Sequence, residues 1–225
     1  MSRIRPTVSI VALVLANLLP LLGIFLLGWD TGVIVFLYWT ENIIVGSLSI
    51  LKIAFLKADS PKGHVSKLLV IPFFCLHYGG FCAGHGLFLR SFFDFPANIE
   101  LLLPRFEGIQ TVFLPSLAGS LASGLASASP GVIGWTVIAL VASHGVSFLL
   151  NFVWRGEYRM LSIQRAMFAP YPRMAALHVA LVAGGIAISM MGSPTFLLAV
   201  LVLAKIGLDL FFHVKEHDPR SRATA

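Results

Sequence analysis

Charged residues are scarce in this sequence of 225 residues. Asp, Glu, Lys and Arg together make up only 12% of it, whereas a soluble globular domain carries about 25% charged residues. Hydrophobic residues account for 57%, and the mean hydropathy is +0.89. This shortage of charge excludes an ordinary soluble domain and predicts an all-α bundle that crosses a membrane several times.

Acidic residues are fewer than basic ones, ten against sixteen, so the formal net charge is +6. A basic balance can indicate nucleic-acid binding. Here the Lys and Arg residues lie mostly in short loops between apolar runs, where membrane proteins carry their orientation signals. We therefore expect membrane lipids as partners and no nucleic acid, and the sequence leaves the oligomeric state open.

Cysteine is also rare, with only Cys75 and Cys82. They lie seven residues apart in one apolar run, which on a helix separates them by about 10 Å along the axis. That distance is too long for a disulfide between them. We expect both to be buried as small apolar residues.

The sequence shows no internal repeat, no low-complexity segment and no room for a separate soluble domain. No small-residue cleavage site follows the first apolar run, so we expect that run to be an uncleaved span after Arg3 and Arg5. These features predict one transmembrane domain over residues 1–225.

Six apolar runs approach the roughly 20 residues that a helix needs to cross a bilayer. The predicted spans are Val8–Leu27, Thr31–Leu56, Leu68–Leu89, Val132–Trp154, Met174–Met191 and Thr195–His213. Between the third and the fourth, residues 90–130 form a long connection that we expect outside the cytoplasm. Its part Gly108–Ser129 is only weakly apolar and predicts a re-entrant or interfacial segment rather than a seventh span.

The basic residues orient these six spans. Two of them, Arg90 and Arg105, fall on one predicted side, and Lys52 and Lys205 fall within spans. The other twelve share the opposite side: Arg3, Arg5, Lys57, Lys62, Lys67, Arg155, Arg159, Arg165, Arg173, Lys215, Arg220 and Arg222. Since positive residues mark the cytoplasmic side, both termini are predicted to be cytoplasmic, in a bacterial inner membrane.

Ionisable groups inside the spans are the candidate functional residues, because such groups are costly in a bilayer. Counting 1.5 Å per residue puts Glu41 near the midplane and four further groups at a similar layer. Those four are His77, His144, His178 and Asp209, and His213 lies at the inner boundary. Because an unpaired carboxylate is expensive at the midplane, Glu41 requires a cationic partner or a proton.

Three imidazoles and a carboxylate from four helices suit a zinc or iron site. The predicted ligands are His77, His144, His178, Asp209 and His213, and Glu41 is the predicted catalytic base or the group that orients an imidazole. The same polar groups could instead be hydrogen-bonded structural contacts between helices.

Several phrases resemble an uncharacterised bacterial family of multi-pass membrane proteins. They are Tyr38-Trp39-x-Glu41-Asn42, His77-Tyr78-Gly79 with His85-Gly86, Ser143-His144 with Ser147-Phe148 and Asn151, Pro170-Tyr171-x-Arg173, and Asp209-x-x-x-His213-x-x-x-His217. The resemblance covers nearly the whole chain and brings no known activity with it.

A weaker similarity links the chain to the alkaline ceramidase and adiponectin-receptor-like membrane hydrolases. His213-x-x-x-His217 and the early Glu41-Asn42 pair are similar to elements of their intramembrane zinc site. Those proteins have seven spans, whereas six are predicted here. The resemblance implies an intramembrane hydrolase that acts on a lipid-like substrate.

Four functions stay open on the sequence alone. The first is an intramembrane metal enzyme, a hydrolase or oxidoreductase, with a lipid-like substrate. The second is a proton-coupled transporter that relays charge through Glu41, His77, Lys205 and Asp209. The third is a haem carrier with paired histidine ligands, and the fourth is a scaffold without chemistry.

Overall fold

All regular structure in the described part of the chain is helical. A computed structural model describes residues 30–56, 61–103 without 96 and 101, 112–127 and 132–191, and single positions at 26, 28, 200, 202, 203 and 207. The longer helices are α1 (Thr31–Phe55), α2 (Pro61–Phe92), α5 (Val132–Ser147) and α7 (Tyr171–Met191). The shorter ones are α3 (Ala97–Glu100), α4 (Leu114–Ser127) and α6 (Ile163–Phe168), and α5 continues as a π-helix over Phe148–Trp154. The predicted all-α class is confirmed.

Three stretches of helix are long and apolar enough to cross a membrane: Thr31–Phe55, Val65–Phe92 and Ile133–Trp154. They coincide with the predicted second, third and fourth spans. Helix α7 lies at the predicted fifth span. The predicted first and sixth spans fall almost entirely outside the described residues, together with the closing Asp209, His213 and His217.

The chain divides into two compact units. One unit is Val35–Met174, which holds most of α1, all of α2 to α6 and the first turn of α7. The other unit is Met1–Ile34 together with Ala175–Ala225. The contacts that form the candidate site all belong to the unit Val35–Met174.

Helix α1 is the central element of that unit. Of its most apolar window 56% is buried, against 28% for α2 and 11% for the stretch that contains α5. Its Trp39 is fully buried and donates from Nε1 to the backbone oxygen of Cys82 at 2.7 Å, and Tyr78 donates its hydroxyl to the backbone oxygen of Asn42. These bonds fix α1 against α2 where polar groups have no water to bind.

Helix α5 and the π-helix that continues it are mostly exposed, in contrast to α1. Large apolar side chains are exposed along both, among them Trp135, Val141, Leu149 and Trp154. Such a surface is unfavourable in water and suits contact with lipid. The two cysteines of α2 are buried and free, as expected from their spacing.

The C-terminal ends of α1 and of the π-helix lie together with the start of α2. Lys67, near the start of α2, donates to the carbonyl oxygens of Ala54 and Leu56 and so caps the C-terminus of α1. A buried apolar cluster of Ile53, Leu56, Phe152 and Ala166 joins α1, the π-helix and α6 at this end. Helix α1 and the π-helix therefore end side by side, next to the start of α2.

Helix α4 occupies part of the segment predicted as re-entrant or interfacial. Its 14 residues span about 21 Å, which is shorter than the roughly 30 Å hydrocarbon core of a bilayer. The start of α4 packs closely against Gly79 of α2, because a Cβ added at Gly79 would clash with the backbone oxygen of Val112, two residues before α4. The extracytoplasmic position of residues 90–130 stays a prediction.

Candidate functional site

A carboxylate with two basic partners lies at the centre of the unit. Glu41 Oε1 is 3.0 Å from His144 Nε2 and 2.5 Å from Arg173 Nη1. The Arg173 contact is an ion pair by distance, because Nη1 has no hydrogen bond of good angular geometry within the described residues. The three side chains come from α1, α5 and α7, so the site exists only in the folded bundle.

Glu41 and His144 each lie near the middle of the membrane-length helical stretch to which they belong. Glu41 follows Thr31 by ten residues, about 15 Å along α1, and precedes Phe55 by fourteen, about 21 Å. His144 follows Ile133 by eleven residues and precedes Trp154 by ten, so its level is about 15–17 Å from either end. At that depth a carboxylate requires compensation, which Arg173 and His144 supply.

The chain between the π-helix and α7 runs back along α1, from the level of Lys52 near the C-terminus of α1 to the level of Glu41. Glu157 contacts Lys52 near the end of α1, and sixteen residues later Arg173 contacts Glu41. These two levels on α1 are eleven residues apart, or about 16 Å. The segment 155–173 therefore runs back along α1 and brings Arg173 into contact with the partly buried carboxylate of Glu41.

The first turn of α7 also binds α2. The Tyr171 hydroxyl lies 2.9 Å from His77 Nδ1, and the His77 ring stacks on Phe73 with centroids 5.1 Å apart. Tyr171 and Arg173 thus attach the same turn to two helices. His77 is used in this contact rather than in the Glu41 cluster.

A cavity of about 520 Å³ lies beside the Glu41 cluster, and His144 lines it. Its polar wall consists of Ser49, Lys52, His144, Ser147, Asn151 and Glu157. Its apolar wall includes Leu48, Phe148, Leu161 and Pro170. The volume falls in the range of small-molecule sites, which are apolar pockets with a few convergent polar groups.

The cavity wall includes the point where α5 becomes a π-helix. Arg155 N bonds to Leu150 O at 3.0 Å, which is the i to i−5 pattern of a π-helix. On this segment Asn151 donates to Ser147 Oγ at 3.1 Å and accepts from Arg155 at 2.9 Å. Short π-helical insertions occur frequently at functional sites, because they re-aim side chains.

The five predicted metal ligands are not brought together within the described residues. His144 contacts Glu41, His77 contacts Tyr171, and His178 is an exposed residue of the other compact unit. Asp209 and His213 lie outside the described residues. The described part of the chain contains no group of three or more His, Cys, Asp or Glu that could hold a metal ion. The metal site therefore stays a prediction.

Arg173 and Tyr171 are site residues that the sequence alone did not assign. Arg173 was expected among the basic loop residues that orient the chain, and the structure adds a contact of its guanidinium with Glu41 from the first turn of α7. The available signal was the requirement that a midplane carboxylate have a cationic partner or a proton. It could not select Arg173 among sixteen basic residues, because the path of segment 155–173 back along α1 is a tertiary feature.

Comparison with known proteins gives a family and no activity. A model for a family of unknown function, DUF6498, matches residues 1–225. No curated protein and no solved structure matches the chain. Since the match covers the whole sequence, the chain belongs to the DUF6498 family of unknown function.

Proposed function

We propose that this protein is a membrane-embedded enzyme in which Glu41 and His144 form a general base for a lipid-like substrate. The observation that carries the proposal is the 3.0 Å contact between Glu41 Oε1 and His144 Nε2 beside a cavity that His144 lines. Imidazole is the side chain best suited to exchange protons near neutral pH. A carboxylate on its other nitrogen orients the ring and stabilises the imidazolium form.

The chemistry follows from the position of each group. Arg173 supplies a positive charge next to Glu41, and the Glu41 carboxylate in turn orients the His144 ring through their 3.0 Å contact. In hydrolysis of an ester, His144 would take a proton from water while the water oxygen bonds to the acyl carbon. The departing alkoxide would then take the proton back and leave as an alcohol, which restores the pair.

We infer that the protein is a six-span protein of the bacterial inner membrane with both termini in the cytoplasm. Three membrane-length helices support a membrane location. The end at which α1 and the π-helix finish carries Lys52, Lys67 and Arg155 among the described residues. Positive residues favour the cytoplasmic side, so this end faces the cytoplasm in the proposal.

A zinc or iron ion is a second candidate for activating the water. Histidine ligands usually donate their second N–H to a carboxylate, and the Glu41–His144 contact has that form. His144 Nδ1, the ring nitrogen that does not contact Glu41, would be a ligand atom of such an ion. Metal analysis of protein purified without chelators tests this: about one ion per chain that is lost in His144→Gln supports it, and a metal-free chain contradicts it.

The general-base proposal is tested in liposomes of total bacterial lipid that contain the purified full-length protein. Lipid species are followed over time by mass spectrometry for the wild type, His144→Gln and Glu41→Gln. The control is Arg90→Gln, which removes a charge from an ion pair that does not line the cavity. We expect a lipid to be consumed by the wild type and the control and to persist with both site variants.

Equal lipid profiles in all four samples would contradict the enzyme and leave proton-coupled transport as the alternative. The same liposomes, loaded with a pH-sensitive dye, distinguish that alternative. Proton uptake that requires Glu41 and His144 would then assign a relay to the pair rather than a base.

A further inference from the structure

Two opposite charges share one wall of the cavity. Lys52 and Glu157 both line it, and Lys52 Nζ lies 3.5 Å from Glu157 Oε2. Their side chains are 28% and 39% exposed, so each can approach a ligand. The Lys52–Glu157 contact is longer than the Arg90–Glu100 ion pair of the same unit, in which the two charged atoms are 2.7 Å apart.

The Lys52–Glu157 pair is a long contact with further restraints on each partner. Lys52 Nζ donates to Glu157 Oε2 at 3.5 Å, the long limit of a hydrogen bond. Lys52 belongs to the last turn of α1, and its ammonium also lies 5.6 Å from the centroid of the Phe152 ring, a cation–π contact. Glu157 begins a short 3-10 helix directly after Gly156, whose positive φ of 74° turns the chain out of the π-helix. Each charge is therefore positioned by its own element as well as by the long contact between them.

In the membrane arrangement proposed above, the pair lies at the depth of lipid headgroups. Lys52 precedes the end of α1 by three residues, and Glu157 follows Trp154, the end of a membrane-length helix, by three. His144 lines the same cavity about 15 Å deeper, and Leu48 and Phe148 form apolar wall between the two levels. The cavity thus offers paired charges at its outer end and a proton acceptor inside.

We propose that this cavity binds a zwitterionic ligand whose anionic group approaches Lys52 and whose primary ammonium approaches Glu157. The identification of this ligand as the substrate rests on the function proposed above, but its binding does not. A purely anionic ligand would be attracted by Lys52 but repelled by Glu157. A purely cationic ligand would be attracted by Glu157 but repelled by Lys52. A primary ammonium donates hydrogen bonds to a carboxylate, whereas a quaternary ammonium has no N–H to donate.

A phosphoethanolamine group has this chemistry and occurs both in a lipid headgroup and as a free solute. We would measure binding by native mass spectrometry of the full-length protein with three dioleoyl lipids: phosphatidylethanolamine, phosphatidylcholine and phosphatidylglycerol. Free O-phosphoethanolamine forms a separate arm, measured by calorimetry. Tighter binding of the lipid than of the solute would identify the lipid as the source, and comparable affinity would identify the solute.

For the wild type we expect phosphatidylethanolamine to bind about tenfold more tightly than the other two lipids, since one well-placed charged contact gives a factor of that order. Lys52→Met and Glu157→Gln should each remove most of this preference. Arg90→Met and Glu100→Gln are the matched controls, because they remove the same charges from an ion pair that does not line the cavity. Both controls should retain the preference.

Equal binding of the three lipids by the wild type, with no O-phosphoethanolamine binding, would overturn the proposal. An unchanged preference in both Lys52→Met and Glu157→Gln would overturn it as well. If either variant fails to fold, the exchange Lys52→Glu with Glu157→Lys keeps a charge pair in place, and it should bind the same lipid with a preference at least partly restored. Because these experiments measure binding and not turnover, their outcome tests the zwitterion site even if the general-base proposal fails.

Discussion

Glu41 and His144 are separated by 103 residues in the chain, yet their side chains meet at 3.0 Å at half-height on two membrane-length helices. Arg173 contacts the same carboxylate oxygen of Glu41 from the first turn of α7. The carboxylate is only 15% exposed, so its charge depends on these two partners rather than on solvent.

Removing the charge of Glu41 should destabilise the protein more than removing both charges of the ion pair. Glu41→Gln leaves Arg173 without its anion, and breaking such a pair from one side costs about 2–4 kcal/mol where the partner is partly exposed. The double variant Glu41→Gln with Arg173→Gln should recover at least about 1 kcal/mol of that loss. Thermal unfolding in detergent measures the stability of the wild type, the two single variants and the double variant. Strictly additive losses of unfolding free energy would count against the Glu41–Arg173 pairing.

The contact of Tyr171 with His77 should stabilise the first turn of α7. Tyr171→Phe removes only the hydroxyl that lies 2.9 Å from His77 Nδ1, and we expect a loss of about 1 kcal/mol in unfolding free energy. Tyr158→Phe is the control, because within the described part of the chain the hydrogen-bond partner of its hydroxyl is the exposed, neighbouring Arg159. Equal stability of both variants would show that the Tyr171 bond contributes nothing.

Gly79 and Gly80 should respond differently to the same change. A Cβ at Gly79 would clash with the backbone of Val112 and Leu114, whereas one at Gly80 meets no atom of the described residues within 4 Å. Gly79→Ala must displace the start of α4 and should cost about 2 kcal/mol or more. Gly80→Ala should be neutral or stabilise by up to about 1 kcal/mol, because alanine favours helix. The reverse order in melting temperature would contradict the packing of α4 on α2.

The cavity should be reachable by water-soluble reagents. In a background with Cys75 and Cys82 replaced by alanine, we expect Ser147→Cys to react with a charged maleimide, because Ser147 lines the cavity. Val141→Cys on the same helix is exposed but is not part of the cavity wall, and it should react at least about tenfold more slowly if lipid covers it. Mass spectrometry of intact protein in membranes gives both rates, and equal rates would argue against a water-accessible cavity.

The sequence predicted the helical class and the positions of three membrane-length helices because apolar runs of about 20 residues are a local signal. It also predicted that Glu41 needs either a cationic partner or a proton, since that requirement follows from its predicted depth, and the structure places Arg173 in contact with it. The identity of that partner was not predictable, because Arg173 reaches Glu41 only through the path of segment 155–173 back along α1. Periodicity likewise could not show that the Tyr171 hydroxyl contacts His77.

The central claim is that Glu41 and His144 form one hydrogen-bonded pair inside the bundle. The most direct test is solid-state NMR of the protein in lipid bilayers with ¹⁵N-labelled histidine and ¹³C-labelled glutamate side chains, assigned with Glu41→Gln and His144→Gln. A 3.0 Å contact between Nε2 and Oε1 corresponds to a separation of about 4 Å or less between the His144 nitrogen and the Glu41 carboxyl carbon, which gives a strong dipolar coupling. We expect that coupling, and its absence from the wild-type spectrum would contradict the site and the function built on it.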